Sequence, residues 1–314
     1  MADAGQWDQH RTALTGFCYR MLGSGFEAED AVQETLIRAW RNADRFDERR
    51  GSARSWLFAI AANVCIDMCR SAQRRALPID LSPPASPGDP LGALLPDGAL
   101  VHPIPDALVL PPDPADQVAA RETIRLAFVA ALQHLPARQR AALILHDVLC
   151  FSAEEAAHLL DSTAPAVNSL LQRARATISE RSPTPDAVLR PEDPAQRRLL
   201  ARYVEAFESH DVETLVALLH EDAVLAMPPL AWWLRGREDI GLVLRLPDNV
   251  CAGDRLLPTA ANGSPAFGQY RDGKAFALLA LDLRGDRVAA ATTHLDAGRL
   301  FPLFGLPENF PSHR

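Results

Sequence analysis

The amino-acid sequence predicts two all-α helical domains, the second with a helix-turn-helix, joined by a Pro-rich linker and followed by an α+β domain. Apolar residues recur at helical spacing through residues 7–75 and again in 116–181, whereas strand-like alternation begins only near residue 266. A chain of 314 residues is long enough for two or three such domains. We therefore expect domains at 7–75, 116–181 and 195–314, with a linker at 76–115.

The first domain shows one helical stripe through Val32, Leu36 and Trp40, and its pattern is interrupted by a loop at 46–55. The linker that follows is so rich in proline that we expect no regular structure in it. This linker separates two blocks of helical texture, which predicts that they fold as distinct domains.

Two short helices at 152–160 and 163–178 predict the helix-turn-helix. Ser152 and Glu155 form a Ser-x-x-Glu capping box, Thr163 is a natural N-cap, and Pro165 fits the first turn of a helix. The second helix of such a pair enters the major groove, where Asn, Gln and Arg side chains contact bases or phosphate. An ordinary helical hairpin with a solvated polar face is the alternative. The side chains expected on the exposed face are Asn168, Ser169, Gln172, Arg173 and Arg175.

A second candidate nucleic-acid region lies at 49–75, where arginines alternate with aromatic residues. Basic groups follow phosphate while aromatic faces accept unstacked bases, which is the combination that single-stranded DNA requires. The alternative places Trp56 and Phe58 in a helical core with arginines at its rim. The residues concerned are Arg49, Arg50, Arg54, Arg70, Arg74 and Arg75, interleaved with Trp56, Phe58 and Asn63.

The C-terminal region predicts two helices followed by antiparallel strands at 266–270, 275–283 and 288–295, with a hairpin turn at Arg284-Gly285-Asp286. Helices followed by a sheet are typical of an α+β domain.

Composition narrows the class of protein. The net charge is −8, but only Lys274 of the 32 basic residues is lysine, and arginines concentrate near 38–75 and 173–202. Such basic stripes suit nucleic acid even in an acidic chain. The five cysteines are few and scattered, so we expect no disulfide framework. Cys65 and Cys69 share a helical face at spacing i, i+4, where they could bind metal or sense oxidation, but no His or second Cys pair completes a zinc set, so we favour a core role for both. No signal peptide or membrane segment is expected, which favours a cytoplasmic protein.

At this point the sequence resembles a family. The segments at 28–35 (AEDAVQET) and 55–63 (SWLFAIAAN), with Phe46, Asp67 and Arg70, are similar to the promoter-melting domain of extracytoplasmic-function (ECF) sigma factors of the sigma-70 family. The segments at 135–140 (LPARQR), 156–160 (AAHLL) and 166–175 (AVNSLLQRAR) resemble the domain that binds the minus-thirty-five promoter element. The two resemblances follow in order and together cover about residues 7–181.

The resemblance implies core RNA polymerase and promoter DNA as partners. It also implies that the linker passes the polymerase active-site and RNA-exit channels. The implied polymerase-binding residues are Asp30, Gln33, Glu34 and Arg38. The implied minus-ten residues are Arg49, Arg50, Ser52, Trp56, Asn63, Arg70, Arg74 and Arg75. The implied upstream-element residues are Thr163, Pro165, Asn168, Ser169, Gln172, Arg173 and Arg175.

Two positions depart from the family pattern. Asp161 stands where the family commonly has glycine, and it tolerates a left-handed backbone less well. Asn168 and Leu170 stand where the family often has basic residues, which removes phosphate-binding charge. We therefore expect weak affinity for the upstream element.

Residues 195–314 resemble the SnoaL-like (NTF2-like) cone, a curved antiparallel sheet that surrounds a cavity. Candidate pocket residues are Trp232, Trp233, Tyr270, His294 and Asp296, with a core role as the alternative. Some relatives of this cone are enzymes, but beyond His294 and Asp296 nothing marks a catalytic site, so we expect no enzyme activity and no cofactor. We expect regulation instead, through a small-molecule ligand or alongside an anti-sigma protein.

The leading hypothesis is thus a sigma factor modulated by its C-terminal domain. A ligand-responsive helix-turn-helix regulator is an alternative, but it leaves the 28–75 motifs unexplained. A small-molecule enzyme that uses the cone is a further alternative.

Overall fold

The computed structural model describes residues 4–47, 49, 51–71, 75–181, 193–246 and 251–311. The chain divides into two compact units, of which the first combines residues 1–75 with 101–184 and the second combines 76–100 with 185–314. The division falls inside the predicted linker, so its first part belongs to the C-terminal unit and its last part to the helical unit.

The residues described in the first half of the helical unit form three α-helices, α1 (Arg11–Leu22), α2 (Gly25–Arg41) and α3 (Ala53–Ser71), and two short 3-10 helices at Ala4–His10 and Ala43–Arg45. All residues of α1 from Leu14 to Leu22 are buried, so this helix is the centre of the bundle. The side chain of Ser24 accepts a hydrogen bond from the amide of Glu27 and begins α2, as expected for an N-cap serine.

The predicted linker is not wholly irregular, which corrects the sequence expectation. It contains two single-turn helices, α4 (Pro78–Leu81) and α5 (Asp106–Val109). Proline does not prevent either, because Pro78 stands at the first position of α4 and Pro105 immediately precedes α5, where no intrahelical amide bond is lost.

The second half of the helical unit contains α6 (Pro114–Ile124), α7 (Leu126–Leu132), α8 (Ala137–Leu143), α9 (Ala153–Leu159) and α10 (Ala164–Arg181), with a π-helical turn at Ile144–Val148. The predicted capping box is present: the Glu155 amide donates to Ser152 Oγ over 3.1 Å, and the Ser152 amide donates to Glu155 Oε2 over 2.7 Å. Helices α9 and α10 therefore form the predicted helix-turn-helix.

The C-terminal unit begins with α11 (Pro194–Glu208) and α12 (Val212–Leu218). It continues through β1 (Leu219–Ala226), β2 (Trp233–Arg235), α13 (Arg237–Leu244), β3 (Arg255–Ala261), β4 (Ser264–Arg271), β5 (Lys274–Arg284), β6 (Arg287–His294) and α14 (Ala297–Leu303). In the described residues, these strands form a six-stranded sheet in the order β2-β1-β6-β5-β4-β3. This arrangement of helices and sheet is the predicted SnoaL-like fold.

The sheet is mixed rather than purely antiparallel, because β1 pairs with β6 in parallel. Strands β3 to β6 follow one another as antiparallel neighbours, and the predicted hairpin is present with Arg284 opposite Arg287. Local turn residues reveal such hairpins, whereas the pairing of β1 with β6 joins segments far apart in the chain. The sequence pattern therefore predicted the hairpin and missed the parallel pair.

Three cysteines lie in or near the helical core. Cys18 and Cys65 are fully buried, and burial followed by contact with Cys18 raises the pKa of the Cys65 thiol. Burial also raises the pKa of Cys69, whose Sγ lies 3.8 Å from the Met21 carbonyl oxygen. These thiols behave as core groups, and the described residues hold no cluster of three metal-ligating side chains. Among the helices described, none is long and apolar enough to cross a membrane.

Candidate nucleic-acid interface

Trp56 lies near the start of α3 and is half-buried. Its ring centroid is 5.1 Å from that of Phe46 and 5.5 Å from that of Trp7, which is itself buried. Edge-to-face and tilted aromatic contacts of this kind hold a ring in one orientation. Trp56 is therefore a fixed aromatic surface with part of its ring accessible.

Two cavities meet at Trp56. The first has a volume of about 350 Å³ and is lined by Arg38, Asn42, Trp56, Ile60 and Asn63. The second, of about 250 Å³, extends from Phe46 and Ser52 to His158 and Leu159. Trp56 therefore lines both cavities.

The first cavity combines an aromatic wall with amide and guanidinium groups. The Asn63 side-chain amide donates to the Ala59 carbonyl over 3.1 Å, and Arg38 Nε lies 2.6 Å from Glu34 Oε1. Amide and guanidinium groups at the edge of a stacking surface are suited to the Watson–Crick edge of an unstacked base. The structure thus brings Arg38, expected at the polymerase surface, to the same cavity as Trp56 and Asn63.

The second cavity is closed on one side by the helix-turn-helix domain. His158 and Leu159 of α9 form that wall, and Arg54 of α3 donates to the Leu149 carbonyl over 2.9 Å. The Arg54 guanidinium also stacks on Phe151 at 4.2 Å from the ring centroid. In this conformation the two helical domains pack together beside the start of α3.

Phe58 does not belong to the interface. It is fully buried, with ring centroids 5.5 Å from Phe17 and 5.7 Å from Phe151. Of the two alternatives for Trp56 and Phe58, a core position holds for Phe58, whereas Trp56 presents a partly accessible ring.

The expected minus-ten arginines differ in their surroundings. Arg49 is exposed, and Arg70 is exposed in an ion pair of 2.9 Å with Asp67. Arg75, in contrast, is buried at 5% exposure and paired with Glu27, so its position does not support the expected phosphate contact. Ser52 is exposed, while Arg50 and Arg74 lie outside the described residues.

Helix α2 presents a mixed polar and apolar surface. Asp30 and Gln33 are exposed, and Glu34 and Arg38 form the half-exposed ion pair given above. Ile37 is 43% exposed and Trp40 is 63% exposed, although the sequence pattern placed Trp40 on the buried stripe with Val32. Positions 33, 37 and 40 lie on one helical face, and that spacing was the signal by which this surface was detectable.

Helix α10 separates a buried face from a polar one. Val167, Leu171 and Ala174 are buried in the domain. All of the expected upstream-element residues are exposed, namely Thr163, Pro165, Asn168, Ser169, Gln172, Arg173 and Arg175. Asp161, in the turn before α10, has φ +46°. It thus adopts the left-handed conformation for which the family commonly has glycine at this position.

Arg175 is already engaged within the protein. Its Nε lies 2.9 Å from Asp147 Oδ2, and His146 lies beside the same carboxylate. Partial burial raises the pKa of Asp147, but hydrogen bonds from Arg175 and His146 outweigh it, so the pKa is lowered overall. The hydrogen bond that Arg175 donates to Asp147 in turn raises the pKa of Arg175.

The five residues expected to line a pocket in the C-terminal unit do not come together. Trp232 lines a cavity of about 320 Å³ between the helices and the sheet. The Trp233 indole donates to the Ser82 carbonyl over 3.0 Å, and the buried Tyr270 donates to the Pro307 carbonyl over 2.9 Å. His294 is buried at the end of β6, and Asp296 precedes α14, where it lies 3.7 Å from Arg299.

Comparison with known families now defines the class. The family described as Sigma-70 region 2 matches residues 7–75, and Sigma-70, region 4 matches residues 125–178. The sequence is 42% identical over 311 residues to the ECF RNA polymerase sigma factor SigG of Mycobacterium tuberculosis, covering 96% of this chain and 83% of SigG. It is 27% identical over 305 residues to SigJ of the same organism, covering 92% of this chain and 90% of SigJ.

The crystal structure of Mycobacterium tuberculosis SigJ matches the fold with a TM-score of 0.61 and 24% identity, over 97% of this chain and 100% of SigJ. The protein is a member of the sigma-70 class. Within that class, the chain belongs to the ECF RNA polymerase sigma factors, which are non-enzymatic initiation factors. It directs core RNA polymerase to specific promoters and initiates transcription.

Proposed function

We propose that this sigma factor opens promoter DNA by capturing an unstacked non-template base of the minus-ten element beside Trp56. The single observation that carries the proposal is the cavity in which Trp56, Asn63 and Arg38 meet. Capturing a base in a preformed site compensates for part of the free energy of unpairing it, so recognition and strand opening become one event.

Removing the Trp56 ring, on which the captured base would stack, tests this proposal. In a reconstituted holoenzyme, we expect Trp56→Ala to reduce the equilibrium constant of strand opening by roughly 5- to 150-fold, because base–aromatic stacking contributes about 1–3 kcal/mol per base. Fluorescence of 2-aminopurine placed in the minus-ten non-template strand measures opening.

The matched control is Trp56→Phe, which keeps an aromatic surface and should retain most of the opening. Co-elution of each variant with core polymerase ensures that only assembled holoenzyme is compared. Normal opening by Trp56→Ala holoenzyme would contradict base capture at this position.

The same proposal assigns roles to the other helices. The α2 surface, with Asp30, Gln33, Ile37 and Trp40, contacts core polymerase, and exposed tryptophans of this kind often contribute most to an interface. The polar face of α10 reads the upstream element, with weak affinity because Arg175 is paired with Asp147 and position 168 lacks a charge. A factor with these partners acts in the cytoplasm.

The C-terminal unit, in this proposal, regulates initiation by holding the first part of the linker. The Ala85 amide donates to the Trp233 carbonyl over 2.8 Å, and the Leu95 amide donates to the Pro229 carbonyl over 2.9 Å. A linker segment that is hydrogen-bonded to this unit cannot at the same time occupy a polymerase channel. Catalysis is not part of the proposal, because His294 and Asp296 are not among the described residues that line the cavity.

Removal of residues 195–314 tests the regulatory role. We expect promoter output in run-off transcription to change, because the linker segment loses its hydrogen-bond partners. The full-length Trp233→Phe variant, which loses only the indole bond to Ser82, should change output in the same direction by a smaller factor. Unchanged output from the deleted chain would remove the regulatory proposal.

A further inference from the structure

The exposed side of α11 is strongly basic. The first ten residues of this helix contain Arg197, Arg198 and Arg202 and no acidic residue. All three arginines are exposed, whereas Tyr203 and its buried neighbours pack the other side of the helix into the core of the C-terminal unit. These arginines belong to the arginine-rich stretch at 173–202, whose second half has no role in the proposed function.

Two of the three arginines are not neutralised within the protein. Among the described residues, Arg198 and Arg202 form neither an ion pair nor a hydrogen bond. They are four positions apart, so they share one side of the helix, and like charges at this spacing disfavour the helix. Glu205 follows on the same side and is exposed, which leaves the surface with a net positive charge. The pair therefore does not stabilise the fold, and an anionic partner would relieve its repulsion.

The acidic residues around α11 are engaged elsewhere. The side chain of Asp193 caps the start of the helix. Glu208, in its last turn, lies 3.3 Å from Arg255 Nε, and Glu213 of α12 lies 2.8 Å from Arg245 Nη2. These carboxylates already have cationic or amide partners, so the α11 arginines remain available to an anion outside the protein.

Helix α10 leaves a need for positive charge on DNA. Asn168 and Leu170 stand where the family often has basic residues, and Arg175 Nε lies 2.9 Å from Asp147 Oδ2. The whole chain carries a net charge of −8, which DNA repels. Contacts with phosphate supply essentially all of the sequence-independent affinity of DNA-binding proteins. A second basic helix would supply the contacts that α10 lacks.

The chain is short enough for α11 to serve the same DNA as α10. Helix α10 ends at Arg181 and α11 begins at Pro194, so twelve residues connect them. A fully extended segment of this length spans at most about 43 Å. Each base pair of duplex adds about 3.4 Å, so this reach corresponds to roughly twelve base pairs. Phosphates that flank the sequence read by α10 therefore fall within reach of α11.

We propose that the α11 basic face, formed by Arg198 and Arg202 with Arg197 beside them, binds the phosphate backbone of duplex DNA that flanks the upstream element. Contacts between guanidinium groups and phosphate carry no sequence information, so this surface strengthens binding without changing promoter choice. It extends the DNA interface from the helical unit to the C-terminal unit. The inference rests on the proposed role of α10 in reading the upstream element.

The salt dependence of duplex binding by the full chain tests this proposal. The probe is a fluorescein-labelled, mixed-sequence duplex of about 40 base pairs, and fluorescence anisotropy gives the affinity between roughly 50 and 200 mM NaCl. The Arg198→Gln/Arg202→Gln variant should lower the slope of log affinity against log salt by about 1.8, because each phosphate contact contributes about 0.9. Over this range of salt, the original chain should therefore lose roughly twelvefold more affinity than the variant.

Two double variants are the matched controls. Arg198→Lys/Arg202→Lys keeps both charges and should keep the slope of the original chain. Arg235→Gln/Lys274→Gln removes the same charge from exposed positions of β2 and β5 in the same unit, and it should also keep the slope. An unchanged slope in Arg198→Gln/Arg202→Gln, or an equal loss in the β2 and β5 control, would overturn the assignment.

Two further measurements separate this proposal from the function on which it rests. Arg173→Gln, on α10, should lower the slope by about 0.9. If it has no effect while the α11 variant lowers the slope, DNA reading by α10 fails and the α11 basic face stands. The α11 variant should co-elute with core polymerase as the original chain does. Weaker co-elution with an unchanged DNA slope would assign the α11 basic face to polymerase and overturn the DNA contact.

Discussion

Helices α3 and α10 both present side chains to DNA in the proposed function, but they are built differently. On α3, Trp56 is fixed by Phe46 and Trp7, and Phe58 two positions later is fully buried. On α10, the expected contact residues are all exposed. The first surface is a product of packing, and the second is a row of separate polar groups, so substitutions should have large effects on α3 and small ones on α10.

The largest effect tests how far the α3 surface depends on the core. Phe58→Ala should lower the free energy of unfolding of the helical unit by about 3–5 kcal/mol, because it removes a buried ring and leaves a cavity. Urea unfolding followed by circular dichroism measures it, with attention to separate transitions of the two units. The control Trp40→Ala, on an exposed side chain, should stay within about 0.5 kcal/mol. A small loss of unfolding free energy in Phe58→Ala would contradict the view that the α3 surface depends on core packing.

An intermediate effect concerns Arg175, an expected contact residue of α10 that forms an ion pair with Asp147. Asp147→Asn should free Arg175 for phosphate and raise affinity for upstream-element duplex by up to about fivefold, the range of a surface ion pair. The dependence of log affinity on log salt should steepen by about one.

Fluorescence anisotropy of the labelled duplex at several salt concentrations measures this change. Asp286→Asn removes the same charge from the β5–β6 turn and is the control for net charge. An unchanged salt slope in Asp147→Asn would show that Arg175 takes no part in DNA binding.

The smallest effect concerns the turn that positions α10. Asp161 has φ +46°, where glycine meets no steric penalty, so Asp161→Gly should raise the free energy of unfolding by a few tenths to about 1 kcal/mol. Glycine also adds freedom to the unfolded chain, which limits the gain. Ser162→Gly, at a neighbouring residue without positive φ, should instead lower stability. Thermal unfolding measures the change. A lower stability of Asp161→Gly would show that the backbone of Asp161 is not strained.

The sequence predicted the features whose signals lie close together in the chain. The capping box at Ser152, the polar face of α10 and the β5–β6 hairpin each depend on residues within a few positions of one another, and each is present in the structure. The family resemblance to ECF sigma factors likewise depended on contiguous motifs and is confirmed by the comparisons.

Where the prediction depended on distant segments, it was incomplete. Periodicity did not show that Trp40 is exposed, that Arg75 is buried against Glu27, or that β1 pairs in parallel with β6. The sequence suggested five residues as the lining of the cavity. The structure places the cavity between α11–α13 and the sheet, and of those five residues its described lining includes Trp232 alone.

The sequence by itself determined the family, the order of the helical and α+β regions, and the side chains available to meet DNA. Tertiary structure alone decided which of those side chains are exposed and which form ion pairs within the protein. It also decided that residues 76–100 belong to the C-terminal unit. The physical reason is that helical and strand patterns report local burial. Partners such as Arg75 and Glu27, or Leu91 and the cavity of the C-terminal unit, are set by contacts between residues far apart in the chain.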